Sequence, residues 1–544
     1  MSQSPMSKAA IVVPIGPKEA PSVLQPQPNG SSAPKGKGNP LNDKFKEFVN
    51  VSRERYNIPG IAVGVVHGDE TYSSAYGYLK PGSEEEVTPD TLFNIGSMTK
   101  GICAATLLHV METTAKSEKP ITLDTKIQDI IPDDFVLSDE YATSHATLKD
   151  ALAHRLGYSR HDFSYGGPGY TVEDAVRSLR HLPMTAEFRE KFQYFNIGYM
   201  TIQHAIETIT GKSCGDMYEE VVFKPLGMNS STVDVKQAQA MSCPLATGAA
   251  YFNEAFETHP CRESQLVGQG GVISNVADMT KYIRAMINKE LLLSKESQAS
   301  LLTPLSIGNT MHTKHQSNEL YAAGWMISSY RGKLLAHHTG GVPGYFGIAG
   351  FFPELQWGAV VMTNGDLPGM CASGALFYRL MDDYLEIPES DRIDQGAKLE
   401  GFITMKDQGY LKARETHLTQ LSDPQKPHSL PLEEYAGTYT HPAYRDITFV
   451  VAEPEADLPV AEKTTKVLHA LKEKSEWDVV FDLEHLSGEH FICYINTLVR
   501  SPMVHEACPA EFNVGPDGKV RRLGIQFSQF LSSSKETIWF DRIG

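Results

Sequence analysis

A disulfide framework, a membrane span and a basic surface are all missing from this sequence. Its seven cysteines, Cys103, Cys214, Cys243, Cys261, Cys371, Cys493 and Cys508, are odd in number, scattered and free of any CxxC pair. They read as buried thiols in a reducing compartment rather than as staples. No apolar run reaches the roughly 20 residues that a membrane helix needs. Acidic residues outnumber basic ones 66 to 49, a net charge of -17, and no basic stripe interrupts that balance. Nucleic acid and anionic membrane are therefore not expected as main partners. There is no HExxH, His312 and His315 sit in a polar loop, and the adjacent His337 and His338 point to opposite faces of a strand. Neither a metal nor another cofactor is expected. The run "AAIVVPIG" near the N-terminus is short and broken by proline, no small-residue cleavage pattern follows it, and the first fifty residues lack arginine. Secretory and mitochondrial addresses are therefore not expected, and a cytoplasmic location is the expectation.

What is present is enough for two or three domains: 544 residues with 41% hydrophobic content. Residues 1–40 are rich in Pro, Gly and Ser and poor in aromatics, the composition of a disordered tail. Residues 41–395 form one unit. Its start, "GIAVGVVHGDETYSSAYGYL", alternates and turns at Gly68-Asp69 as a hairpin does. From about 97 to 300 helical signals dominate, and from 324 strands return in "GWMISSY", "KLLAHHTGG", "YFGIAGFFP" and "WGAVVMTNGD". Strands at both ends with helices between predict an α/β (α+β) fold, an antiparallel sheet flanked by helices with a helical insertion lobe. Residues 396–430 have the composition of a linker. Residues 431–544 carry short strands with turn signals such as Pro516-Asp517-Gly518, which predicts a separate C-terminal all-β domain, barrel or sandwich.

A serine followed three residues later by lysine occurs three times, at Ser32/Lys35, Ser97/Lys100 and Ser532/Lys535. Only Ser97 stands at the mouth of a helix, "TKGICAATLLHVME", which is apolar nearly all round and so belongs in the centre of a core. Residues i and i+3 share a helix face, so the Lys100 amine can reach the Ser97 hydroxyl. The positive end of a helix and loss of solvent both disfavour an ammonium at Lys100, which points to a neutral amine able to act as a base.

Two further clusters follow in order, Tyr194-Phe195-Asn196 in "QYFNIG" and His338-Thr339-Gly340-Gly341 in "AHHTGGVPGY". Together with "SMTK" they resemble the three motifs of the serine β-lactamase and penicillin-binding-protein superfamily, in particular its class C β-lactamase, D-aminopeptidase and esterase branch. The likeness runs from about residue 45 to 385, and the C-terminal domain resembles the small β-domain appended to fungal and bacterial members. The resemblance implies that Ser97 is the nucleophile and that Lys100 and Tyr194 form the acid/base system. It implies that Asn196 orients Lys100 and the substrate, and that the backbone N–H groups of Ser97 and Gly341 form an oxyanion hole. A phenol with an ordinary pKa near 10 is a poor base at neutral pH, so neighbours must lower that pKa or share the proton. Glycine at 340 and 341 suits a strand that a substrate approaches closely. Many members carry Lys-Thr-Gly where this chain has His338-Thr339-Gly340. A mostly neutral histidine argues against efficient β-lactam hydrolysis and fits esterase, aminopeptidase and acyltransferase members that carry histidine.

A competing serine signal, "GKSCG" at Gly211–Gly215, matches the elbow of α/β-hydrolases but follows helical spacing instead of a strand. Gly211 reads as a helix C-cap and Ser213 as the next N-cap. The expected function is a serine acyl hydrolase acting on an ester, amide or lactam of a small molecule. An acyltransferase using the same acyl-enzyme, and a non-catalytic binding protein that keeps the fold, remain as alternatives, and the oligomeric state is not fixed by the sequence. The loop Arg160–Thr171 is expected to border the cleft with aromatic residues, and the C-terminal domain to cover it.

Overall fold

The computed structural model describes residues 38–308, 313, 315–421, 424–461, 466–473, 475–527 and 536–543. Nearly all of the expected N-terminal tail, both of the other serine/lysine pairs and His312 lie outside the described residues. Eight strands make one antiparallel sheet: β1 (Gly60–His67), β2 (Glu70–Gly77), β3 (Ser306–Ile307), β4 (Leu320–Tyr321), β5 (Met326–Tyr330), β6 (Lys333–Val342), β7 (Tyr345–Phe352) and β8 (Trp357–Thr363). Their order is β2-β1-β8-β7-β6-β5-β4-β3. The N-terminal hairpin therefore docks on β8, with Ile61 opposite Thr363 and His67 opposite Trp357.

Alternation along the strands sorts two cores. Ile61, Val63, Val65, Trp357, Ala359 and Val361 point to one face, covered by α1 (Asp43–Arg55) and an 18-residue helix, Leu367–Tyr384. Ala62, Val66, Val360 and Met362 point to the other. There they join α2 (Thr99–Thr114), α3 (Asn196–Thr210) and α4 (Val276–Asn288), the last packed directly against β1 and β8. Because β1 and β8 are covered on both faces, they read as nearly continuous apolar runs in the sequence. Helix α2 has no polar stripe, and it runs through the middle of the larger core with almost every side chain buried. Gly211 ends α3 in a left-handed conformation and the Ser213 hydroxyl accepts from the Asp216 N–H, so "GKSCG" is a cap and not an elbow.

Residues 437–543 close into an eight-stranded barrel, the strand Gly437–His441 pairing with Ile538–Ile543. Rings of Phe449, Phe481, Phe491, Phe512, Phe527 and Phe540 are buried in it; a barrel of this size has room for side chains and little else. The stretch 396–430 differs from its linker composition, because α6 (Gln395–Leu411), which follows the Leu367–Tyr384 helix (α5), and α7 (Ala413–Leu418) occupy much of it. Its apolar residues point two ways. Leu399 and Ile403 pack on the catalytic-domain core, while Tyr410, Ala413 and Leu418 pack on barrel residues Ile492 and Tyr494. That division leaves no single apolar stripe for the sequence to display. All seven cysteines are free thiols, five of them buried and Cys243 and Cys261 half-buried. No helix among the described residues is long and apolar enough to cross a membrane.

Tyr410 is the hinge of this junction, stacked 3.6 Å from the His505 ring, its hydroxyl accepting from Asn496 Nδ2 at 3.0 Å. Tyr410→Ala should cost about 3–5 kcal/mol of packing and expose the junction. Limited proteolysis should then cut between residues 396 and 430 at protease levels that leave the parent chain intact.

Candidate active site

The short strand Phe93–Asn94 leads into a single 3₁₀ turn, Gly96–Met98, and from there into α2. Ser97 therefore stands in the turn before the α-helix, with Lys100 in the first α-helical turn. The turn presses against β6. A Cβ added at Gly340 would lie 1.9 Å from the Ile95 carbonyl oxygen, and one added at Gly96 would lie 2.7 Å from the Gly341 nitrogen. At Gly341 a Cβ would meet the Phe346 ring at 2.8 Å and Met503 Cε, from the barrel, at 3.3 Å. What comes close to these two glycines is the turn that carries Ser97 and the protein's own side chains. The strand can carry only glycine here if the turn is to sit against it.

Lys100 is completely buried. Its Nζ lies 3.0 Å from Ser97 Oγ, 3.0 Å from Asn196 Oδ1 and 2.7 Å from the Gln269 carbonyl oxygen. The orientation of the Asn196 amide follows from its other side. Nδ2 donates to Asp162 Oδ1 at 3.1 Å and to Tyr165 Oη at 3.3 Å, and an ionised carboxylate can only accept. Burial, reinforced by the charge of Arg160, pushes the Lys100 amine well below its ordinary pKa. A neutral amine has two hydrogens and one lone pair. With the hydrogens directed at Asn196 Oδ1 and the Gln269 carbonyl, two pure acceptors, the lone pair faces the Ser97 hydroxyl.

Tyr194 is hydrogen-bonded to Ser97, and burial raises its pKa despite that bond and the nearby Arg160. The phenol therefore keeps its proton at neutral pH. Of the two conditions set by the sequence, a lowered pKa or a shared proton, only the second is met. The ring is caged, with His154 stacked at 4.4 Å, Tyr321 edge-on at 6.4 Å, the Arg160 guanidinium 5.4 Å from the centroid and Lys100 Nζ at 4.8 Å. Burial, then Lys100, also holds His154 well below its ordinary pKa, so the cage adds no second cation.

His338 Nδ1 donates to the Thr339 carbonyl at 2.6 Å, which leaves Nε2 to accept from the Tyr321 hydroxyl at 3.2 Å. Burial and the proximity of Lys100 push its pKa down to about 3. It offers no positive charge at neutral pH. The fixed cation of this region is Arg160, held by Asp162 through Nε at 2.8 Å and through a second nitrogen at 2.5 Å. Burial opposes the charge on Asp162, but Arg160 and hydrogen bonds from Tyr165 and Asn196 outweigh it and keep its carboxylate below the usual range.

Ser97, Lys100, Tyr194, Asn196, His338, Gly340 and Gly341 are thus brought together, with Thr339 contributing its carbonyl to His338. Sequence reasoning missed Asp162 and Arg160 as individual residues, although the loop that carries them was placed at the cleft by its position and aromatic content. It missed Gln269 because the contributing atom is a backbone carbonyl, which leaves no signature in side-chain chemistry. Tyr321 and His154 carried no motif.

Residues 41–380 match the profile described as Beta-lactamase. The chain belongs to the Beta-lactamase family. Its enzymatic class is that of the β-lactamase-like serine hydrolases, and residues 421–542 match a domain of unknown function, DUF3471. Among characterised relatives, an unguisins hydrolase of Aspergillus campestris is 31% identical over 515 residues, covering 93% of each chain. The D-alanyl-D-alanine-carboxypeptidase/endopeptidase AmpH of Escherichia coli strain K12 is 22% identical over 57% of this chain and 80% of its own. Among solved structures, the octameric penicillin-binding-protein homologue of Pyrococcus abyssi aligns with a TM-score of 0.56 at 20% identity, over 92% of this chain and 99% of that one. A class C β-lactamase from Rhodobacter sphaeroides aligns at 0.51 and 21% over 63% and 100%. At such identities the structural matches speak for the fold alone.

The buried Arg160–Asp162 pair holds the Asn196 amide in its orientation. Asp162→Ala leaves a buried guanidinium uncompensated and should lower unfolding stability by about 3–5 kcal/mol, measured by urea denaturation.

Proposed function

We propose that this enzyme is an amidohydrolase that cleaves an amide through an acyl-enzyme on Ser97. The observation that carries the reading is the Ser97 hydroxyl set between two groups, the Lys100 amine at 3.0 Å, whose pKa burial pushes well down, and the hydrogen-bonded Tyr194 phenol, whose pKa burial pushes up. Lys100 takes the Ser97 proton as Oγ attacks the carbonyl carbon. The oxyanion sits between the N–H groups of Ser97 and Gly341, a contribution of about 3–4 kcal/mol per donor in comparable sites. Tyr194 gives its proton to the leaving nitrogen, and the proton held by Lys100 replaces it. Water then attacks the acyl-enzyme, giving a proton to Lys100, which passes it to the Ser97 oxygen as that leaves, so the hydroxyl and the neutral amine are both restored. Protonation of the leaving group is indispensable for an amine and dispensable for a good phenolate, so a phenol that retains its proton favours amides as the natural substrates. The relatives named as a carboxypeptidase/endopeptidase and as unguisins hydrolases support the hydrolytic outcome over acyl transfer. The lysine that many members carry in the third motif is His338 here, whose pKa burial pushes down to about 3, and Arg160 is tethered to Asp162, which sets this site apart from one built for β-lactams.

Ser97→Ala should abolish turnover of both p-nitrophenyl esters and amides, and retained turnover would remove Ser97 from the mechanism. Tyr194→Phe should reduce amide kcat by about 100-fold or more while reducing activated-ester kcat far less; equal losses would sink the role of the phenol as proton donor.

The pH profile tests the base independently. Lys100 titrates below its ordinary range and Tyr194 above its own. Activity should therefore fall only on the acid side, where Lys100 becomes protonated, and stay level from neutral pH upward until the phenol ionises. Lys100→Arg, which is protonated at every accessible pH, should be inactive throughout. A parent kcat/KM that still rises through pH 9 to 10 would show an ordinary lysine at position 100.

A further inference from the structure

The loop that carries Arg160 and Asp162 has no regular structure of its own. Residues 159–171 contain neither helix nor strand, yet Gly166 and the five residues before it are buried. A buried loop has to find partners for its carbonyls outside any ladder. Here the barrel supplies them. The Phe163 carbonyl accepts from Lys472 Nζ, the Tyr165 carbonyl from the Glu476 N–H at 2.9 Å and the Gly166 carbonyl from the Arg445 guanidinium at 2.8 Å. At the start of the stretch His161 Nδ1 lies 2.9 Å from the Tyr444 hydroxyl, and the Phe163 ring packs 6.1 Å from that of Phe527. The two chains meet directly, since a Cβ added at Gly166 would lie 2.4 Å from the Glu476 nitrogen.

The loop hands this restraint on to the reaction centre. The Ser164 N–H and hydroxyl both donate to the His161 carbonyl, at 2.9 and 2.7 Å, which closes His161–Ser164 into a turn that moves as a unit. Asp162 stands inside that turn, between two residues held by the barrel. Its Oδ1 accepts from Tyr165 Oη at 2.8 Å and from Asn196 Nδ2 at 3.1 Å, and Asn196 Oδ1 lies 3.0 Å from Lys100 Nζ.

Lys472 is the most deeply placed of the barrel's donors. It is buried, with Nζ 5.4 Å from the centre of the Tyr444 ring. Burial and the charge of Arg445 push its pKa down to about 7, but an amine has hydrogens to donate in either state. We propose that the C-terminal barrel positions the active site, with Lys472 as its main contact. Through the Phe163 carbonyl, Lys472 holds Asp162, and so the Asn196 amide, in the orientation that turns the Lys100 lone pair to Ser97. The proposal rests on Lys100 acting as the base, and it gives the domain of unknown function a part in turnover.

The test uses the full chain and p-nitrophenyl acetate, an ester reactive enough to be followed in weakened variants. Lys472→Met keeps the aliphatic stem and removes the donor. It should lower kcat about 10-fold or more while KM stays within about three-fold of the parent, because the loop bears on proton transfer. Tyr444→Phe, nearly isosteric, should lower kcat about three-fold in the same way. A double-mutant cycle separates positioning from packing: in an Asn196→Ala background, Lys472→Met should cost less than about two-fold, since the amide it serves is gone. Tyr444→Phe carries the same cycle should Lys472→Met not fold. Parent-like kcat in the folded single variants, or an undiminished cost in the Asn196→Ala background, would overturn the proposal and leave these contacts as packing alone. Failure of the Lys100 assignment is distinguishable, since Lys100→Arg would then keep turnover whatever the cycle shows.

Discussion

A buried amine whose pKa burial pushes well down, and whose nitrogen lies within hydrogen-bond reach of two fixed acceptors, is the constraint on which the domain around it is built. An ammonium without a counter-charge in such a place is expensive, and a free amine with unengaged hydrogens would point its lone pair anywhere. Both problems are solved by geometry instead of by a partner charge. Asn196 Oδ1 and the Gln269 carbonyl fix two directions, and the third falls on Ser97. Each acceptor is itself held: Asn196 by Asp162 and Tyr165, Gln269 by the chain leading into β-paired Ile273. Removing any one of them frees the amine to turn.

The same constraint explains why α2 lacks an amphipathic pattern. A helix that offers Lys100 to a dry interior cannot also lie on the surface, so its other faces must be apolar to pack against α3 and the other helices of the larger core. The sheet contributes the opposing wall. Gly340 lets the Ser97 turn approach β6 to a distance no side chain would allow, and Phe346 and Met503 close the next position. Two parts of the chain more than 240 residues apart are thereby set against each other, which only a packed tertiary fold can do.

Much of this was legible in the sequence. The hairpin at Gly68-Asp69, the separate β-domain, the central burial of α2 and the three motif clusters all follow from local periodicity or from residue identity at short spacing. The parts that were not legible share a physical origin: they depend on partners distant in sequence. The linker-like segment is helical because its apolar residues serve two bodies at once, Leu399 on one side and Tyr410 on the other. Asp162 gives no sign in the sequence that its carboxylate will fix the amide of residue 196. The rise in the Tyr194 pKa comes from burial, and two of the rings packed on it, His154 and Tyr321, lie 40 and 127 residues away in the chain. Gln269 acts through its backbone, which every residue type possesses.

The exchange of a third-motif lysine for His338 has a consequence for the whole charge arrangement. A lysine on β6 would place a second cation near Lys100, and two amines competing for few acceptors would both be driven toward neutrality. With His338 neutral and donating to its own neighbour's carbonyl, the remaining cation is Arg160. Its position beside Tyr194 depresses Lys100 and opposes the rise of the phenol. Yet Asp162 takes its Nε and one terminal nitrogen, so the guanidinium is tethered beside Lys100 and Tyr194. The electrostatic support of proton transfer thus comes from the loop, and the third motif contributes a neutral ring in place of a cation.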